Sequence, residues 1–185
     1  MAKRLDKIVV VDVESTCWEN APPYDEVSEI IEVGVCLLDM QGVVDWVQSP
    51  QGILVRPQHS RVSDYCTSLT TLTQGQLEME GISFSAACQK LTLPPYLSRQ
   101  RVWASYGDYD RRQFERTCQL YTIPYPFGPT HLNVKALFAL RRGLSREVGL
   151  VEALAMSGFF FVGTHHRGVD DAQNVARLLA TLVTP

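Results

Sequence analysis

The sequence predicts an α/β protein with a mixed five-stranded sheet flanked by helices. Three observations support this class. An uninterrupted β-branched run, Ile8–Val11, indicates a buried strand near the start of the chain. Strand-like stretches dominate the first third of the chain, and helical stretches alternate with short strands afterwards, which is the order of elements in a mixed sheet with helices packed on it. No repeat or long linker divides the chain, so residues 1–185 are expected to form one domain.

The first three predicted strands form an antiparallel meander. Lys7–Val13 reads as a strand buried on both faces. Asn20–Asp25, which contains two prolines, is a loop. Two further strands, Glu29–Asp39 and Val43–Arg56, are separated by a turn predicted at Met40–Gly42.

The remaining elements alternate. Arg101–Ser105 and the apolar run Gly158–Gly163 are predicted strands, and Tyr121–Pro129 is a proline-rich loop. The 3.6-residue periodicity and the capping signals predict helices over Ser63–Leu72, Gln74–Glu80, Ser83–Leu93, Asp110–Tyr121, Val134–Arg142, Ser145–Ser157 and Val169–Leu182.

Composition excludes several classes. A hydrophobic fraction of 45% and a charged fraction of 20% are typical of a globular protein. No apolar run approaches the roughly 20 residues that span a bilayer, and the short run after Met1–Lys7 does not fit an export signal. The 5 cysteines are scattered and lack a CxxC pair, which disfavours a disulfide framework or a zinc site. We therefore expect a cytoplasmic protein without membrane association.

Charge is distributed unevenly along the chain. The net charge is −3, but residues 1–92 hold 6 basic and 13 acidic side chains, whereas residues 93–185 hold 11 basic and 7 acidic ones. An acidic centre beside a basic flank suits a metal site that serves a polyanion. Ordinary scatter of surface charge explains the same counts equally well.

Three acidic residues occupy positions where carboxylates are costly. Asp12 and Glu14 end the most hydrophobic strand, and their i, i+2 spacing places them on one face. Asp171 lies one turn before Val175 on the apolar stripe of the last helix, so it should point towards the sheet. Such carboxylates repel one another unless a cation joins them, although solvation at a strand end and helix capping are alternatives.

Two further regions hold candidate site residues. His166 lies in a glycine-flanked loop five residues before Asp171, and a histidine there can accept a proton near neutral pH. Asp108 and Asp110 fall at a strand–helix junction, where one could cap the helix and the other could serve a site.

Together these motifs resemble the DEDDh 3′→5′ exonucleases. Asp12-x-Glu14, an Asp at a strand–helix junction and His166-x4-Asp171 follow the order and separation of that family's three motifs. The segments DVESTCW, LVRP, DYCxxLT and GVDDAxNVA are similar to those of the Eri-type RNA exonucleases and of bacterial exonucleases described as KinA-pathway inhibitors. The resemblance covers nearly the whole chain and implies a ribonuclease H-like fold.

The resemblance also implies the chemistry. Asp12, Glu14, Asp171 and Asp110 match the acids that bind two divalent ions, Mg²⁺ or Mn²⁺, and His166 matches the general base. Tyr109 before the acid and Phe114 after it favour Asp110 over Asp108, and the five-residue spacing to Asp171 favours His166 over His165. The expected reaction removes 5′ mononucleotides from the 3′ end of single-stranded RNA or DNA, with RNA favoured.

Several residues are candidates for contacts with the substrate. By resemblance, backbone groups around Ser15 and Thr16 would hold the terminal 3′ hydroxyl. Trp18 and Tyr109 are candidates for base stacking, with core packing as the alternative. A second set of candidates, for phosphate contact or simple surface solvation, comprises Arg167 and Lys135.

Other functions compete with this interpretation. A metal-dependent phosphatase, an endonuclease or a DNA-directed exonuclease would use the same acids. A regulatory protein-binding module could keep the fold with an idle site, but it would have no need for four acids and a histidine at these positions. The sequence identifies no protein partner and does not decide between RNA and DNA.

Overall fold

A twelve-residue strand lies at the centre of a mixed five-stranded sheet. The computed structural model describes residues 3–41 and 46–183. Within them the strand order is β3-β2-β1-β4-β5; β1, β2 and β3 pair antiparallel, and β4 and β5 continue the sheet in parallel with β1. The predicted mixed sheet with an antiparallel meander is confirmed. The strands are β1 (Arg4–Ser15), β2 (Ile30–Asp39), β3 (Val47–Leu54), β4 (Arg101–Ser105) and β5 (His131–Asn133).

Helices cover both faces of this sheet. The helices are α1 (Asp64–Thr70), α2 (Gln74–Glu80), α3 (Phe84–Thr92), α4 (Tyr109–Leu120), α5 (Val134–Arg142), α6 (Leu150–Met156) and α7 (Gly168–Val183). Alternate residues of β1 point to opposite faces, so Val9 and Val11 pack with α3 and α4, whereas Ile8 and Val10 pack with α5, α6 and α7. Both faces of β1 are therefore shielded from solvent, which explains its continuous β-branched sequence.

The fifth strand was predicted in the wrong place. Gly158–Gly163 forms no strand; Phe159 and Phe161 pack inwards while Phe160 remains 88% exposed, so the segment alternates without pairing to a neighbour. The fifth strand is instead His131–Asn133, which pairs with β4. Three residues are too few to show a strand periodicity in the sequence.

Other predicted boundaries differ by smaller amounts. The helix predicted over Ser145–Ser157 is confined to Leu150–Met156. The predicted strand Val43–Arg56 is observed as Val47–Leu54, and the start of that prediction, together with Gly42 of the predicted turn, lies outside the described residues. Among the described helices, none is long and apolar enough to cross a membrane.

Two glycines bring α7 unusually close to the sheet. A Cβ atom on Gly34 of β2 would lie 1.8 Å from the carbonyl carbon of Gly168, the first residue of α7. A Cβ atom on Gly168 would lie 2.9 Å from the Gly34 nitrogen and 3.2 Å from the Asp12 carbonyl oxygen. Because side chains are missing at both positions, the first turn of α7 rests directly on the backbone of β1 and β2. This contact places Asp171 beside Asp12.

Candidate active site

Three carboxylates meet where the end of β1 faces the start of α7. Asp12, Glu14 and Asp171 each offer an oxygen atom, and these atoms all lie within 4.8 Å of one another. Asp171 lies on the buried stripe of its helix, as the sequence predicts, and is 3% exposed. No lysine or arginine of the described chain forms an ion pair with Asp12 or Glu14.

The structure separates the two aspartates at the start of α4. Asp110 is 3% exposed, and its Oδ1 accepts a hydrogen bond of 3.0 Å from the Val13 amide, between the two acids of β1. Asp108 points outwards instead, with its carboxylate 3.5 Å from the Arg111 guanidinium. Asp110 thus joins the other three acids, and Asp108 does not.

Burial raises the pKa of all four acids, and neighbouring carboxylates add to the rise for Asp12, Glu14 and Asp110. Burial, reinforced by the charges of the neighbouring carboxylates, raises the pKa of Glu14 to about 8. The same causes raise the pKa of Asp12 well above its usual range. Burial raises the pKa of Asp110 to about 6, and burial also raises that of Asp171. Carboxylates that gather this closely and hold their protons this tightly form a site suited to a divalent metal ion.

Both histidines of the loop before α7 reach this cluster. The His165 Nδ1 lies 2.9 Å from Oδ1 of Asp171, and the His166 backbone amide donates a 2.8 Å hydrogen bond to Oδ2. His166 adopts a left-handed φ of 64°, which lets the two imidazole rings stack with centroids 4.0 Å apart. Neither ring nitrogen of His166 is hydrogen-bonded to a described residue, and burial and His165 lower the His166 pKa.

The loop is held by the acid next to Asp171. Oδ2 of Asp170 accepts a 2.8 Å hydrogen bond from the Thr164 amide, and the carboxylate fills the space beside Gly163. A Cβ atom on Gly163, whose φ is 93°, would lie 2.4 Å from the Asp170 carboxyl carbon. The adjacent acids therefore divide two tasks: Asp170 shapes the histidine loop, and Asp171 faces the cluster.

A cavity of about 380 Å³ lies over the four acids, and we call it the acid cavity. Its wall includes both histidines, Ser15 and Tyr109, whose side chain is 52% exposed. Thr16 is fully buried, and its hydroxyl is bonded within the loop that joins β1 to β2. Trp18 is partly exposed and lies outside the wall of the cavity.

Arg167 binds a carboxylate that the sequence pattern did not single out. Its guanidinium makes two hydrogen bonds, of 3.1 and 3.3 Å, to Glu32, which is fully buried on β2 and also accepts from the Gly168 amide. The structure shows the Arg167 side chain bound to Glu32. The phosphate contact predicted for Arg167 stays a prediction. A charged residue inside the apolar run of β2 was the available signal for this pair.

Comparison with known proteins identifies the family. The family profile described as Exonuclease (RNase T) matches residues 9–179. The chain therefore belongs to this exonuclease family, a class of hydrolases that act on phosphodiester bonds with divalent metal ions. The recognition drawn from the three motifs is confirmed.

Individual proteins and solved structures are also similar to the chain. It is 28% identical to human "3′-5′ exoribonuclease 1" over 96% of this chain and 52% of that protein, so it spans about half of that relative. It is 26% identical to the Bacillus subtilis (strain 168) "Probable 3′-5′ exonuclease KapD" over 94% of this chain and 82% of that protein. The crystallographic nuclease domain of 3′hExo, "a DEDDh family member, bound to rAMP", superimposes with a TM-score of 0.84 at 28% identity, covering 98% of this chain and 94% of that one.

Proposed function

We propose that this protein is a divalent-metal-dependent 3′→5′ exonuclease that releases 5′ mononucleotides from single-stranded RNA. One observation carries the proposal: Asp12, Glu14 and Asp171 converge within 4.8 Å of one another, next to a buried Asp110 and two histidines. Four carboxylates and an imidazole at one cavity are the groups that metal-assisted phosphodiester hydrolysis needs. Membership of the exonuclease family supports the same reaction.

The carboxylates fit the metal that the family implies. Oxygen ligands are what Mg²⁺ and Mn²⁺ prefer. Burial and neighbouring carboxylates raise the pKa values of Asp12 and Glu14, and a bound divalent ion would favour their ionised forms. Asp12, Glu14 and Asp171 would hold one ion, and Asp12 and Asp110 would contribute to a second. Bound divalent ions lower the pKa of water and neutralise charge on the phosphodiester oxygens.

His166 would take the proton of the attacking water. Its ring nitrogens are not bonded to described residues, and burial and His165 lower its pKa, which favours the neutral imidazole that accepts a proton. His165 has its Nδ1 on the Asp171 carboxylate and would orient that acid. In the opposite assignment, His165 is the base and Asp171 orients it. Substitution of each histidine distinguishes the two assignments.

The acid cavity would receive the terminal nucleotide. Ser15, on its wall, and the neighbouring backbone of Thr16 would bind the free 3′ hydroxyl, and Tyr109 would stack on the last base. Trp18, at the margin of the site, is a second candidate for stacking. The similar nuclease domain of 3′hExo is described as bound to rAMP, which supports a nucleotide as the ligand.

RNA is proposed as the substrate because the relatives that match over most of this chain include proteins named exoribonucleases. One similar structure, described as "3′-end specific recognition of histone mRNA stem-loop by 3′-exonuclease", has a TM-score of 0.84 at 27% identity. We further propose cytoplasmic location and a single catalytic domain.

A digestion series tests the proposal. Single-stranded RNA and DNA oligonucleotides labelled at the 5′ end are incubated with Mg²⁺, Mn²⁺ or EDTA, and products are followed over time. We expect a ladder of products shortened one nucleotide at a time from the 3′ end of RNA, and no reaction in EDTA. A 3′ phosphate should block the reaction, because the proposed site binds a free hydroxyl. Cleavage of a circular substrate would indicate an endonuclease instead, and preferential digestion of DNA would change the proposed substrate.

A further inference from the structure

A second, larger cavity opens beside the acid cavity. Its volume is about 710 Å³, and it shares Tyr106, Tyr109 and Lys135 with the wall of the acid cavity. From there it continues along the exposed face of α4, past Arg112 and Arg116. We call it the α4 groove. The two cavities form one continuous depression that begins over the acids and leaves along a helix.

Two arginines of this groove form no ion pair with the residues that the structure describes. Arg112 forms no side-chain hydrogen bond or ion pair with any residue that the structure describes. Arg116 donates a 2.6 Å hydrogen bond to Oε1 of Gln113, which is neutral. The two arginines are four residues apart, so they lie about one helical turn, roughly 6 Å, apart along one face. A helix surface that presents two such cations in a row suits a ligand with repeated negative charges.

Lys135 stands at the junction of the two cavities. Its Nζ lies 3.7 Å from Oε2 of Glu147, and both side chains are partly exposed, which makes the pair weak. Asp108, also on the groove wall, faces Arg111 at 3.5 Å. Glu115 lines both this groove and a neighbouring surface depression. Asp108 and Glu147 each face a cation, whereas Arg112 and Arg116 form no ion pair with a described residue.

We infer that the α4 groove binds the nucleotides that precede the terminal one in a single-stranded substrate. Lys135 would contact the phosphate nearest the acid cavity, and Arg112 and Arg116 would contact phosphates further upstream. The half-exposed ring of Tyr109 lies between the two cavities, where a base can stack. This inference rests on the proposed exonuclease function, since the groove gains its role from a 3′ end held over the acids.

The experiment compares a substrate that fills only the acid cavity with one that also fills the groove. The p-nitrophenyl ester of thymidine 5′-monophosphate has no upstream nucleotide, whereas a hexaribonucleotide has five. The test variant is Arg112→Gln/Arg116→Gln. The matched control is Lys90→Gln/Arg141→Gln, which removes the same charge from two exposed residues outside both cavities.

The test variant should raise the KM for the hexanucleotide on the order of 10-fold and leave hydrolysis of the ester unchanged. Binding of a 5′-fluorescent hexanucleotide is measured by anisotropy in EDTA, from about 50 to 200 mM salt. The slope of log Kd against log salt should fall by about 1.4 in the test variant, or about 0.7 for each lost contact with a single strand. Glu147→Gln should tighten binding, because it frees Lys135.

An unchanged salt slope in the test variant, or an equal loss in the control variant, would overturn the inference. So would a Glu147→Gln variant that binds no more tightly than the unsubstituted protein. These outcomes are distinguishable from failure of the proposed function, because in that case the unsubstituted protein would hydrolyse neither the ester nor the hexanucleotide.

Discussion

The buried carboxylates of β1 and those of β2 lie in neighbouring strands but have opposite surroundings. On β2, Glu32 is bonded to Arg167 and the Gly168 amide, and just before that strand Glu29 accepts hydrogen bonds from two backbone amides. On β1, Asp12 and Glu14 face other acids, and no arginine or lysine of the described residues pairs with them. Glu14 and Glu32 are even direct partners in the strand register.

This difference separates carboxylates that hold the fold from carboxylates that are available to a ligand. A buried charge with complete hydrogen bonding stabilises the residues around it, and its loss leaves its partners unsatisfied. A buried charge surrounded by like charges destabilises the folded state until a cation arrives. The two groups should therefore respond in opposite ways to substitution.

The largest effect on activity is expected from substitution of the acids that face other acids at the end of β1 and the start of α7. Asp12→Asn or Asp171→Asn should abolish hydrolysis. Asp12→Asn should also raise the free energy of unfolding measured without metal, because one source of repulsion is removed. Activity is measured on an RNA oligonucleotide, and stability by urea denaturation in EDTA. A variant that keeps normal activity would show that these acids are not the site.

The pair at the start of α4 tests whether burial within the cluster matters. Asp110→Asn should lower the rate on the order of 10² or more, the scale of a lost catalytic group. Asp108→Asn is the matched control and should cost far less, since Asp108 is outside the acid cavity. Reversed effects would move the second-motif acid to Asp108 without changing the family.

Substitution of the two histidines before α7 should have the next largest effect on the rate. His166→Ala should lower the rate by about 10², as expected for a lost general base, and should remove the rise in rate that deprotonation of this histidine produces with pH. His165→Ala should lower the rate less and keep that rise, because His165 contacts Asp171 and is proposed only to orient it. If His165→Ala removes the pH dependence instead, His165 is the base.

Substitution of the hydrogen-bonded carboxylate on β2 should reduce the stability of the fold. Glu32→Gln should reduce the free energy of unfolding by about 1–3 kcal/mol, because the Arg167 guanidinium loses a charged partner. Glu14→Gln on the adjacent strand is the control and should raise stability in the absence of metal. Urea denaturation of both variants in EDTA gives the comparison, and a stabilised Glu32→Gln would remove the distinction between the two groups.

Stability should also depend on pH. Glu14 has a folded pKa of about 8, above its unfolded value, so the folded state binds more protons between these two pKa values. Metal-free stability should therefore fall as pH rises from about 4.5 to 8, by at most about 1.4 kcal/mol per pH unit for each such group. Divalent metal should reduce the decline because it favours the ionised acids. Urea titrations across this range, with and without Mg²⁺, measure it, and a metal-free stability that rises with pH would contradict the raised pKa.

Periodicity located the secondary-structure elements best where it was strong. The strands of the meander, Arg101–Ser105 and the helix Val134–Arg142 were predicted at or near their observed bounds because each presents a long or well-delimited apolar pattern. The fifth strand was misplaced, because His131–Asn133 is three residues long and is made a strand by pairing with β4. The run at Gly158–Gly163 has the composition of a strand but pairs with no strand of the described sheet.

The sequence by itself determined the acids and histidines that could act, since their spacing relative to apolar stripes and to the family's motifs is local information. Only the tertiary structure decided which buried acids remain without partners. Glu32 and Glu14 are both carboxylates in apolar strands, and nothing local distinguishes them. The distinction comes from the contact of Gly34 with Gly168, which holds the start of α7 against the sheet. In this arrangement Arg167 lies beside Glu32, and Asp171 points towards Asp12. That contact joins two parts of the chain that are far apart in sequence, which no local pattern encodes.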